Sequence, residues 1–329
     1  FAAGVLDGLS DKGFLTAAVD FKYYATPRRL AVFLPKVLDR QPDRLVERRG
    51  PAVSAGFDAA GQPTPALAGF AKSCGVQADR LERQKGDKGE YFVHRFKQKG
   101  EALAKHLAAV VETSLKKLPV AKIMRWGAGE AEFVRPVHGL ILLHGSRVVP
   151  GTVLGLKSGN RTLGHRFLSK GWIAIARATD YEKTLRRRGA VMADYRERMA
   201  AIEEQLDRAA RKLGATANWR LGHAEELIEE VASLVEYPAV YAGGFSEDFL
   251  KIPAECLVTS MQHHQRYFPL ARAGRTGELL PQFLFVSNMK AGDPKRIVHG
   301  NERVLQARLA DARFFFEQDR KTGLAERVP

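Results

Sequence analysis

"YEKTLRRRGAVMADYRERMAAIEEQLDRAARKL", residues 181–213, carries the clearest periodicity in the chain. Tyr181, Leu185, Val191, Tyr195, Met199, Ile202, Leu206 and Leu213 recur at intervals close to three and four, the spacing of a helix with one face on a core. Gly189 marks a break between two helices. A further helix, "AEELIEEVASLV" at 224–235, turns Leu227, Ile228, Val231, Leu234 and Val235 inward and Glu225, Glu226, Glu229 and Glu230 outward. This helical segment, 181–235, sits between stretches of a different period.

Before it, "YYATPRRLAVFLPKV" at 23–37 reads as a turn at Pro27 followed by a strand, with Arg28 and Arg29 at the strand's start. "GDKGEYFVHRFKQKG" at 86–100 alternates Tyr91, Val93 and Arg95 against Phe92, His94 and Phe96. "GLILLHGSRVVPGTVLGL" at 139–156 is a hairpin with "GS" as its turn. After the helical segment, "EYPAVYAGGF" and "PQFLFVSN" return to strand, and "GNERVLQARLADARFFFEQDR" closes as a helix. Two shorter helices, 66–73 and 102–117, complete the pattern. Helices and strands in this mixed order predict an α+β fold with mixed or antiparallel sheets rather than a regular parallel one. Pro119 ends the 102–117 helix and sets the expected domain boundary, 1–118 followed by 119–329.

Composition narrows the chemistry. Lysine and arginine number 52 against 37 acids, a net charge of +15, an excess that points to a polyanionic partner. No apolar run approaches the roughly 18 residues that cross a bilayer, and no polybasic tail or amphipathic membrane helix is evident, so nucleic acid ranks above a membrane. Cys74 and Cys256 are the two cysteines, outside any C-x-x-C spacing, which fits a reducing cytoplasm. Residues 1–20 mix acids into the apolar run and lack the basic start of a signal peptide; a chain opening at Phe1 is expected to be a piece of something longer.

Cations, planar side chains and glycines gather in four stretches, the mixture suited to phosphate contact and base stacking. They are "TPRRL" (Arg28, Arg29), "KIMRWGAGEAEFVRPVHG" at 122–139 (Arg125, Trp126, Arg135, His138), "LKSGNRTLGHRFLSKG" at 156–171 (Lys157, Arg161, His165, Arg166) and "MQHHQRYFPL" at 261–270 (His263, His264, Arg266, Tyr267). The third is the most pointed, because the turn at Ser158, Gly159 and Asn160 offers backbone N–H groups among four cations. Composition alone equally allows a solvated basic loop there, and at "MRWG" a buried tryptophan with an arginine salt bridge.

A metal site at His263 and His264 is disfavoured, since adjacent side chains diverge and no H-x-x-x-H spacing occurs. Walker, dinucleotide and G-x-S-x-G motifs are likewise missing, so neither ATP binding, hydrolysis nor any other catalytic residue is assigned.

Taken together, "PRRLAV", "ERRGPAVSAGFD", "KLPVAKIMRWG", "FVRPVHG", "VVPGTVLGLKSGNRTLGHRF", "LIEEVASLVEYPAV", "FLKIPAECLVTSMQHHQRYFPL" and "GNERVLQARLADARFFFEQD" resemble the amino-terminal half of the β subunit of bacterial heterotetrameric glycyl-tRNA synthetases. The resemblance implies ATP-dependent attachment of glycine to tRNA(Gly) by an α2β2 enzyme. It places ATP, magnesium and the catalytic core in the α subunit, with no cofactor in this chain. It also implies a B3/B4-like module over 119–329, with HD-like and anticodon-binding domains lying beyond this sequence. On this view the four clusters meet tRNA or the α subunit, no DNA or membrane is involved, and the chain alone is inactive in aminoacylation. The alternative is an assembly module that docks the α subunit through the Glu225–Glu230 face or the "RFFFEQD" helix. An editing hydrolase of the B3/B4 kind would need a nucleophile or metal set that the sequence does not display.

Overall fold

The computed structural model describes residues 1–329 apart from 18, 59, 87–88, 218–223, 275–277, 324–325 and 327–329. The α+β expectation holds: helices pack on small sheets whose ladders all run antiparallel among the described residues. Two compact units divide the chain, one formed by 3–19 and 36–119, the other by 1–2, 20–35 and 120–329.

In the first unit a three-stranded sheet places Gly89–Gln98 between Arg44–Ala52 and Glu82–Gly86. The helix Pro65–Cys74 covers it, and Leu67, Ala71, Leu81 and Phe92 form the shared core. Thr64 starts this helix by accepting from the Leu67 N–H, and Gly75 ends it in the left-handed conformation at φ +69°. A pair of helices, Ala2–Asp11 and Leu107–Lys116, also belongs to this unit. Gly8 lets them approach, because a Cβ there would stand 2.8 Å from Val110 Cγ1.

The second unit is built around a four-stranded sheet, in the order Ala215–Ala217, Phe268–Arg272, Leu279–Ser287, Ala239–Gly244. Successive side chains of a strand face opposite ways, so a central strand with helices on both sides must be apolar at nearly every position. Leu279–Ser287 meets that demand. Leu284 joins Phe268, Leu270 and the helices Tyr195–Lys212 and Ala224–Leu234 through Ile202, Leu206, Ile228 and Val231. Its neighbours Phe283 and Phe285 face the opposite layer, where Met261, Tyr267 and the helix Lys295–Asp319 supply Leu305 and Leu309. A bulge between Pro269 and Ala271 shifts the ladder locally.

The periodic stretch 181–213 folds as Tyr181–Gly189 and Tyr195–Lys212. The break falls where expected, with Ala190 taking the left-handed cap at φ +50° and Asp194 capping the next helix by accepting from the Glu197 N–H. Leu213, beyond the last turn, and Leu234, at the end of its helix, are exposed rather than inward; Ala232 takes the inward place. Glu226, Glu229 and Glu230 face outward as expected, while the Glu225 side chain lies outside the described residues.

The turn at Pro27 joins two strands, Lys22–Thr26 and Arg29–Phe33, and this hairpin belongs to the second unit through Tyr24, which packs on Leu185, Val191 and Ala193. Four small hairpins occupy 124–174, among them Leu143–His144 with Arg147–Val148 across the Gly145–Ser146 turn.

Candidate nucleic-acid interface

Arg28 and Arg29, the first basic cluster, are committed to the protein itself. Both reach the carboxylate of Glu236, which is 1% exposed: Arg28 through Nε at 3.2 Å and Arg29 through Nη1. Thr26 Oγ1 donates to the same carboxylate at 2.7 Å. The far ends of the guanidiniums donate to backbone, Arg28 to Gly164 O at 2.6 Å and Arg29 to Leu163 O. A buried carboxylate is stable only when paired and hydrogen-bonded, and here both conditions are met from one hairpin.

Beside it lies Arg198, fully buried, whose guanidinium donates to the carbonyls of Ala232 (2.8 Å), Met192 (2.6 Å), Ala193 (3.3 Å), Asp194 (3.4 Å) and Ala25 (2.7 Å). Desolvation holds its pKa below the usual arginine value, opposed by the Glu236 charge. The Tyr181 phenol, close to Arg29 and Glu236, is pushed up to about 12, chiefly by burial.

The second and third clusters supply a different arrangement. His138, Lys157 and Arg161 line one open groove of about 350 Å³, together with Gly139, Leu140, Leu156, Gly159, Asn160 and Trp172. Three short connections build it. Ile141 and Gly159 form a parallel bridge, with the Gly159 N–H donating to Leu140 O at 2.9 Å. Thr152–Val153 pairs with Leu156–Lys157, and Arg161–Leu163 pairs with Trp172–Ala174. His138, Lys157 and Arg161 are exposed, and none has an acidic partner among the described residues. Among the described residues no carboxylate lines the groove. Trp172 keeps 51% of its surface open.

Sequence reasoning missed Trp172, although the signal was adjacent: the basic stretch was bounded at Gly171, one residue short. It missed Glu236 and Arg198 as well, for which no local signal exists.

The remaining candidates scatter. Arg125, at the edge of the Met124–Arg125 and Glu132–Phe133 hairpin, approaches Glu130 at 3.4 Å, and Trp126 is half-buried beside it. Arg135 and Arg166 are exposed, the latter with its guanidinium 5.8 Å from the Phe167 ring centre. His165 is 1% exposed, and its Nδ1 accepts the N–H groups of Phe167 and Leu168, each at 3.2 Å. Its ring shapes a loop and has no face for an external partner.

At the fourth cluster the helix Ala254–Thr259 widens into a π turn, Ser260–His264. Met261 points into the core and His263 and His264 point out. Arg266 adopts a left-handed φ of +58°, held by bonds from its guanidinium to His263 O (2.5 Å) and Glu230 Oε1 (2.8 Å). Tyr267 is core: it stacks on Phe283 at 4.7 Å and donates to Asn301 Oδ1 at 2.7 Å. Burial therefore removes Tyr267 and His165 from any external interface. Among the described residues no group of three or more His, Cys, Asp or Glu side chains is arranged to hold a metal ion.

Comparison with known proteins decides the lineage of this arrangement. The family model for the glycyl-tRNA synthetase beta subunit matches residues 2–329. The chain belongs to that family. Relatives named glycine–tRNA ligase beta subunit, from Salmonella dublin, Salmonella enteritidis PT4 and Salmonella gallinarum, are each 45% identical over 329 residues, all of this chain and 47% of the relative. The chain thus spans about half the length of the curated relatives it matches. Among the described residues of this beta-subunit chain, no helix is long and apolar enough to cross a membrane.

Proposed function

We propose that this chain is a tRNA-engaging part of a glycine–tRNA ligase β subunit, supporting ATP-dependent attachment of glycine to tRNA(Gly) together with an α subunit in a cytoplasmic α2β2 assembly. Family membership supports the assignment to the ligase, and the groove of His138, Lys157, Arg161 and Trp172 carries the RNA contact. Cations without acidic partners beside an open indole are what an RNA strand needs: charge for its phosphates and a flat apolar surface for its bases. ATP and magnesium belong to the α subunit in this reading, and the chain alone transfers no glycine.

The test is a salt titration of tRNA(Gly) binding by the complete α–β enzyme. Affinity falls steeply with salt, and Arg161→Ala or Lys157→Ala weakens binding and lowers the salt slope by about one phosphate contact each. Binding that ignores both substitutions would sink the proposal.

A second reading, docking of the α subunit as this chain's main task, has one observation in its favour. Phe314 and Phe315, near the end of the helix Lys295–Asp319, are 55% and 64% exposed. Replacing both with serine would then abolish co-elution with the α subunit while leaving tRNA affinity intact.

A further inference from the structure

The groove carries more than a charge argument, because its tryptophan packs beside a glycine and stays half open. A Cβ built on Gly139 would stand 3.5 and 3.7 Å from Cζ3 and Cη2 of Trp172, so the six-membered ring of the indole lies against that glycine. Leu163 faces Trp172 across the ladder, and the same ladder sets Arg161 opposite Ala174. One hairpin therefore presents an arginine and a tryptophan two rungs apart. Lys157 comes from the neighbouring hairpin, and Asn160 adds an amide with both a donor and an acceptor.

The size of the groove selects among RNA conformations. About 350 Å³ is at the small end of ligand sites and suits one ring system, with half of Trp172 left uncovered to receive it. A base inside a duplex has both faces covered by its neighbours and offers only edges and backbone. An unpaired base has a free face, and stacking on an aromatic ring ignores base identity because every base has such a face. Cations from two different hairpins line the same groove as the ring, within reach of the phosphates that adjoin one nucleotide.

We propose that this groove holds a single unpaired nucleotide of an RNA strand, its base stacked on Trp172 and its flanking phosphates met by Lys157 and Arg161. This rests on the reading of the chain as a tRNA-binding part of the synthetase, and names the form of RNA it takes.

Binding of a short single-stranded oligoribonucleotide, of the same sequence as a duplex, and of tRNA(Gly), all at one salt concentration, tests it on the complete α–β enzyme. The single strand binds more tightly than the duplex. Trp172→Ala weakens single-strand and tRNA binding about five- to hundredfold, and Trp172→Phe restores part of the loss, with duplex affinity and thermal midpoint unchanged. The Phe variant separates stacking from misfolding, since it keeps a ring on the strand.

If Trp172→Ala and Trp172→Phe both leave the single strand untouched while Arg161→Ala still weakens tRNA, stacking is overturned and the tRNA reading survives. If no substitution in the groove changes tRNA affinity, both fall. A free nucleoside monophosphate that competes as strongly as the oligonucleotide would also overturn the proposal, because the groove would then be a mononucleotide site.

Discussion

Arg29 and Glu236, 207 residues apart in sequence, form an ion pair in which the two side chains keep 9% and 2% of their surface. Arginines that head a strand in a basic protein look made for an external anion, yet the anion they meet is internal. The net charge of +15 is therefore a poor guide to which cations are available.

Removing the carboxylate leaves the buried guanidinium of Arg29 and the part-exposed one of Arg28 without their anion, with Arg198 close by. Glu236→Ala is expected to destabilise the fold by about 3–5 kcal/mol, the range for breaking one side of a buried pair. Denaturant titration of Glu236→Ala and Arg29→Ala reads it; both lower the midpoint, whereas Arg161→Ala in the open groove leaves it unchanged.

Arg198 sets a test of shape against charge. Its fork serves carbonyls from three stretches of chain, 25, 192–194 and 232. A lysine carries the same charge at a single point and cannot reach them together. Arg198→Lys should therefore cost nearly as much stability as Arg198→Met, about 2 kcal/mol or more, as measured by the shift in unfolding midpoint.

Burial raises the Tyr267 phenol from 10.0 to about 12, and that of Tyr181 to a similar value. The folded pKa lies above the unfolded one, so the associated stability is fully present below about pH 10 and is lost as pH rises toward 12. Thermal midpoints should fall across that window. Tyr267→Phe removes the bond to Asn301, costs about 1 kcal/mol at neutral pH, and flattens the alkaline decline.

Gly164 and Gly189 cross at close range. A Cβ on Gly164 would meet Ser169 Oγ at 2.5 Å and the Gly189 Cα at 2.6 Å, and backbone cannot move aside as a side chain can. The His165 N–H donates to Gly189 O at 2.6 Å, and Gly164 O receives Arg28. Gly164→Ala is expected to destabilise by about 1–3 kcal/mol in a thermal melt.

Local pattern made the helices around 181–235 readable, because their stripes and their break are properties of neighbouring residues. It overran at Leu213 and Leu234, where the period continues past the point at which the helix leaves the core. Strands that are short or polar escaped: Lys22–Thr26, Glu82–Gly86 and Ala215–Ala217 carry too few alternations to register. At the interface the sequence identified the cation-rich stretches but not their fates. Whether Arg29 finds a carboxylate or Arg161 finds water depends on a partner far along the chain. His165 disappears from the surface because its ring serves two backbone N–H groups, a role that composition cannot encode.

The π turn at Ser260–His264 is a matter of counting. An α-turn takes about 3.6 residues and a π turn takes more, and here the wider turn ends the helix: Gln265 caps it, Arg266 turns left-handed and the strand begins at Phe268. Met261, within the turn, and Tyr267, three residues after it, both reach the same core. Deleting one residue between 260 and 264 would turn the two ends of the stretch by about 100° relative to each other and pull Met261 or Tyr267 off the core, whereas exchanging either histidine for another polar residue would not. The stretch acts as a ruler, intolerant of a change in length and indifferent to much of its lettering.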